Sequence, residues 1–248
     1  MTPTANHGMR EHKAAATTAG ILYITGTVAG VLSAGVSAPV RDAADPLAAA
    51  AVHSGAVVTG ALLVLVMGLS LAFVPVVLFP VLRRVDEVLA MGYLIVRGAI
   101  ETACYVLLAI IWLLVVPLGE TMSAGPGTAS REGVRLGSLV NNSDGANDVR
   151  GLVFCLGAVM FYSLLYRSRI VPRWIVVWGL VAIPFYVAAH LLAMYGVLVA
   201  NSSDQVLLFM PLALQEMVLA VWMIARGFRP AVGSTTSERA DRDTLVGV

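Results

Sequence analysis

The sequence predicts an all-α membrane protein: one six-transmembrane-helix bundle with both termini cytoplasmic. Three observations carry this. Of 248 residues, 58% are hydrophobic and only 12% charged, about half the charge of an average soluble domain. The apolar residues fall into six runs, most of them long enough for the ~20 residues a span needs. The basic residues collect at alternate turns. Arg10, Lys13, Arg83, Arg84, Arg167, Arg169, Arg173, Arg226 and Arg229 fall on one side, against Arg41, Arg131, Arg135 and Arg150 on the other. That asymmetry marks the first side as cytoplasmic. The formal net charge of +1 gives no ground for a nucleic-acid partner. The expected partner is the lipid bilayer, and the expected location the cell's inner (cytoplasmic) membrane, crossed several times.

Residues 1–13 form a polar N-terminal tail, and the apolar run behind it is too long for a signal-peptide core. Residues 14–226 hold the transmembrane domain. Helix 1 is placed at about 17–37 and contains Gly26 and Gly30, a spacing that admits a close neighbour. Helix 2 is placed at about 52–78, with His53 at its start and Pro75 and Pro80 bending or ending it. Asp86 and Glu87 suit the start of helix 3, at about 88–117 and stopped by Pro117. Residues 119–150 form the one long polar loop, with a short interfacial helix expected over 132–140. Helix 4, at about 150–167, has only 16 uncharged residues, Gly151 to Tyr166. That gives about 24 Å against a core of about 30 Å, so Arg150 and Arg167 are expected to snorkel. Helix 5 is placed at about 174–199 with Pro184 inside it, and helix 6 at about 205–225 with Pro211. Residues 227–248 read as a disordered cytoplasmic tail. Trp112, Trp174, Trp178 and Trp222 are expected at the membrane interfaces.

The stretch that bears on function is Arg97-Gly98-Ala99-Ile100-Glu101 in helix 3. An arginine and a glutamate four residues apart share a helix face. Both lie near the bilayer midplane, where ionisable groups persist only when paired or lining a polar cavity. Glu216 in helix 6 is expected at the same depth, so the three can meet. One guanidinium against two carboxylates leaves one carboxyl to be protonated or to hold a cation. The candidate ligand- or proton-binding residues are therefore Arg97, Glu101 and Glu216, joined by His190 and by Tyr186 one turn before it. The plainer account is a network that fixes helix packing, with His190 simply hydrogen-bonded.

No cofactor and no metal site is expected. Bis-histidine haem needs two histidines at matching depth, which His53 and His190 meet only roughly. Zinc catalysis wants three ligands and an open position, and too few are at hand. Cys104 and Cys155 fall in different apolar runs and read as packed thiols. No nucleophile–base pair points to an enzyme. A small polar ligand or cation is the partner that the charge count suggests; oligomeric state is not written in the sequence.

Several strings are more specific than composition. They are Phe79-Pro80-Val81-Leu82-Arg83-Arg84, Leu89-Ala90-Met91-Gly92-Tyr93, Phe161 to Trp174 with its Tyr-Ser-Leu-Leu-Tyr-Arg-Ser-Arg core, and Pro211 to Ala220 with Leu-Gln-Glu-Met. Together they resemble the bacterial integral membrane family called domain of unknown function 4386. The resemblance runs over all six helices. It implies a six-helix membrane protein and no activity, and it assigns no catalytic residue.

Overall fold

The computed structural model describes residues 3–123, 144–199 and 202–228. The secondary structure there is helical: α1 (Pro3–Arg41), α2 (Pro46–Val52), α3 (Ser54–Leu82), α4 (Glu87–Tyr93), a π-helical turn (Leu94–Ile100), α5 (Glu101–Ser123), α6 (Asp144–Ser168), α7 (Arg173–Met194) and α8 (Ser203–Arg226). Six stretches are long and apolar enough to cross a membrane: His12–Arg41, Ser54–Leu82, Glu87–Glu120, Asn147–Ser168, Arg173–Met194 and Ser203–Arg226. They correspond one for one to the six expected spans. Large apolar side chains such as Val31, Phe73, Val181 and Leu207 lie on the outside, more than half exposed, as lipid-facing residues do.

The helix ends differ from the sequence reading, each for a local reason. Pro75 and Pro80 do not end helix 2, and Pro117 does not stop helix 3; all three sit inside helices. A proline costs a helix one hydrogen bond but can be carried in a span whose neighbours cover it. Pro75 is buried against Gly98 of the π-helical turn, where a Cβ would lie 3.5 Å from its ring. The start of helix 2 is instead split. Asp45 caps α2 by accepting from the Leu47 and Ala48 N–H groups, and His53, at φ −111° and ψ 38°, breaks the chain before α3. Helix 5 ends at Met194, not near 199. Gly196 adopts φ +70°, and the Val197 and Leu198 N–H groups both turn back to the Leu192 carbonyl. A glycine in the left-handed region is a common helix stop. Helix 4 begins at Asp144, so Asn147, Asp148 and Arg150 are helical rather than loop. Asp86 caps α4 through the Leu89 N–H, as its position suggested. The expected interfacial helix at 132–140 and the tail beyond residue 228 lie outside the described residues.

Small residues set the helix spacing. On α1, Gly26 meets Leu71 and Gly30 meets Met67 of α3, while Gly20 sits against the Ala220 carbonyl of α8. Thus α1 lies between α3 and α8 with no room for added side chains. Ser33 donates to the Gly60 carbonyl at 2.9 Å, a buried cross-helix bond of the kind that joins helices in lipid. Tyr162 of α6 packs over Gly179 of α7 and donates to Gln215 Oε1 of α8 at 2.5 Å. Gln215 Nε2 donates in turn to the Ile175 carbonyl of α7 at 3.0 Å. Three helices are therefore pinned at one fully buried amide. The main core gathers around Tyr93, Phe161, Leu165, Ile175 and Leu219.

The turn from α6 to α7 is built into that core. Ile170 and Val171 are buried, and Arg169 takes a left-handed φ of 55° to aim them inward. Arg167 reaches Asp86 at 2.9 Å, an exposed pair that joins this turn to the start of α4. Of the tryptophans, Trp174 is exposed and stacks on Trp178, in keeping with an interface position. Trp112 instead packs over Gly60.

Candidate functional site

The π-helical turn carries Arg97. Within it the Glu101 N–H bonds to the Val96 carbonyl, five residues back instead of four. Such wide turns occur inside α-helices, often at functional sites. Positions four apart remain on one side of the turn, and Arg97 Nη1 lies 3.3 Å from Glu101 Oε2. Both side chains are almost wholly buried. From α8, Glu216 brings its Oε1 to 3.8 Å from Arg97 Nη2. The three residues named from the sequence thus meet, about ten residues into the span from Glu87, or roughly 15 Å deep.

The two carboxylates differ in setting. The Glu101 side chain is 1% exposed and that of Glu216 is 18% exposed. Neither Glu101 oxygen has a hydrogen-bond partner, nor does Arg97 Nε. The guanidinium lies beside the Glu101 carboxylate without the alignment of a hydrogen bond. Its guanidinium carbon lies over aromatic rings instead: the Phe154 ring centroid is 4.5 Å away and that of Tyr23 5.7 Å. Delocalised charge over an aromatic face is a favourable contact, so Arg97 is held largely by rings. Gly157 of α6 lies beside it, where a Cβ would sit in ordinary contact, 3.6 Å from Arg97 Cβ.

His190 and Tyr186 touch, as their spacing predicted, with ring centroids 4.8 Å apart. They do not join the arginine cluster directly. Tyr186 contacts Phe154 at 5.2 Å, and Phe154 covers Arg97. A continuous line of contacts therefore runs from Arg97 through Phe154 and Tyr186 to His190. His190 is fully buried, and its Nδ1 lies 2.7 Å from Asp148 Oδ1. Nearby, Arg150 donates to Tyr105 Oη at 2.9 Å and through two nitrogens to Asn147 Oδ1. Arg150 therefore points into the bundle, not out to the membrane surface as expected. Asp148 was missed because residues 119–150 read as loop, Arg150 because it was expected at the membrane surface, and Tyr105 because it read as part of an apolar span. The signal that could have found Asp148 and Arg150 was the shortfall of helix 4: a span about four residues too short borrows polar residues from its flank.

His53 is exposed, at the α2–α3 break, so it shares no setting with His190. Among the described residues no group of three or more His, Cys, Asp or Glu could hold a metal ion.

The family model for a domain of unknown function, number 4386, matches residues 18–227. The chain belongs to that family. The match takes in all six spans and each residue of the cluster. The description of domain of unknown function 4386 names no activity. Neither a curated protein nor a solved structure matches the chain.

One close approach yields a direct expectation. A Cβ at Gly151 would collide with the His190 ring. Gly151→Ala is expected to dislodge His190 from Asp148 and lower the melting temperature, since overpacking a filled interior costs about 1–3 kcal/mol. A variant that melts with the wild type would contradict this packing.

Proposed function

We propose that Arg97, Glu101 and Glu216 form an intramembrane site that takes up a proton, exchangeable with a small cation or polar ligand, in a binding or transport protein. The observation that carries the reading is the mismatch at the cluster: one guanidinium, two carboxylates, and Glu101 oxygens buried without hydrogen bonds. A network that served packing alone would satisfy its polar atoms, because an unmade buried bond is expensive. We assign the proton to Glu216. Glu101 is tied to Arg97 within one turn of the same span, whereas Glu216 stands farther from the guanidinium and is partly exposed.

A hydrophobic carbodiimide tests this. It reacts with a protonated carboxyl in apolar surroundings and adds its mass to that residue. Peptide mass mapping of the protein in nanodiscs should place the adduct on Glu216, and Glu216→Gln should abolish it. An adduct on Glu101 would reverse the roles, and none at either would remove the reading.

The same proposal places both termini on the cytoplasmic side of the inner membrane, as the basic residues at alternate turns suggest. Single cysteines at Ser130 and Ser237 in a cysteine-free background should differ towards an impermeant thiol reagent applied to intact cells. Ser130→Cys should react and Ser237→Cys should not; the opposite pattern would invert the topology.

A further inference from the structure

We propose that the Asp148–His190 pair is a second proton-binding site, separate from the midplane carboxylates, with His190 Nε2 as the accepting atom.

Three observations carry it. His190 is fully buried and Asp148 nearly so, yet they form an ion-pair-length contact of 2.7 Å. A carboxylate only accepts, so Nδ1 is the donating nitrogen and Nε2 is left as a bare acceptor. Nε2 is buried and has no hydrogen-bond partner. A histidine that serves packing alone would find a partner for both nitrogens or lie at the surface.

The surroundings fit reversible protonation. From α6, Asp148 and Arg150 face the ring. The Arg150 charge is occupied by Asn147 and by the Tyr105 hydroxyl and ring face. On α7 itself Tyr186 is the titratable neighbour, and α8 presents the neutral Phe209, 4.8 Å from the imidazole. Asp148 is therefore the charge in direct contact with the imidazole, and it stabilises the imidazolium. An arriving proton forms a new Nε2–H bond. The Nδ1–H bond stays intact, and its hydrogen bond to Asp148 becomes an ion pair. The proton comes from hydronium in the surrounding water; on release the Nε2–H bond breaks, the proton passes back to water, and the neutral ring returns.

The test uses the full chain in nanodiscs: nitrogen-15 histidine spectra are recorded between about pH 4 and 9, a range centred near the ordinary imidazole value of about 6.5. His190→Gln identifies the signals among the four histidines of the chain. The expected result is one bare and one protonated nitrogen at high pH and two protonated nitrogens at low pH. A His190 spectrum that never changes would overturn the proton site.

Discussion

Arg97→Leu is expected to destabilise the bundle more than a typical interior substitution. The change leaves the Glu101 carboxylate buried without a counter-charge and strips Glu216 of its nearest cation. It also removes the guanidinium that lies over the Phe154 and Tyr23 rings. Breaking a buried ion pair from one side costs about 3–5 kcal/mol in soluble proteins. The lipid reference state recovers part of that, so about 1–2 kcal/mol is the lower expectation. The double variant Arg97→Leu, Glu101→Gln should be more stable than Arg97→Leu alone, because the orphaned charge is gone. Thermal unfolding in detergent reads both. An Arg97→Leu protein that melts with the wild type would contradict the pairing, and so would a double variant no better than the single.

Gly20→Leu is expected to be comparably damaging for a different reason. A Cβ at Gly20 would lie 2.6 Å from the Ala220 carbonyl oxygen and 2.7 Å from Ile224 Cγ1. The first neighbour is backbone and cannot swing aside, so α1 and α8 must separate. Separation opens the helix that carries Glu216 and exposes Tyr23, which faces Arg97 from α1. Ordinary overpacking costs about 1–3 kcal/mol; a leucine here adds three carbons beyond the Cβ that already clashes. Loss of the monodisperse folded species in size-exclusion chromatography is the expected outcome. Gly35→Leu is the control, since its Cβ position meets nothing within 4 Å. Equal behaviour of the two variants would contradict the α1–α8 packing.

Much of this architecture was legible because lipid imposes simple rules. Six apolar runs and alternating basic turns were enough to place six spans, since backbone in a bilayer has few alternatives. The meeting of Arg97, Glu101 and Glu216 was also legible, because charges at the midplane have to find each other. Boundaries were less so. Pro75, Pro80 and Pro117 read as stops by the rules of soluble helices, but neighbours such as Gly98 let the chain continue past Pro75. Gly196 was the stop that mattered, and its signal was a positive φ that composition does not reveal. The π-helical turn left no mark in the sequence either. It follows from how Arg97 and Gly98 dock against α3 and α6, a tertiary effect. Asp148 was hidden for a plainer reason. Polarity placed it in a loop, whereas its pairing with His190 draws it into the span.

The central claim is that the midplane cluster holds an exchangeable proton on Glu216. Infrared difference spectroscopy of the protein in nanodiscs, titrated between about pH 5 and 9, tests it most directly, because a free glutamate ionises near pH 4.3 and is silent over that range. The account predicts a protonated-carboxyl band that changes across the titration, is absent in Glu216→Gln, and persists in Glu101→Gln, with Glu216→Gln still folded. A band that vanishes with Glu101→Gln instead, or a wild type with no titrating carboxyl in that range, would contradict it.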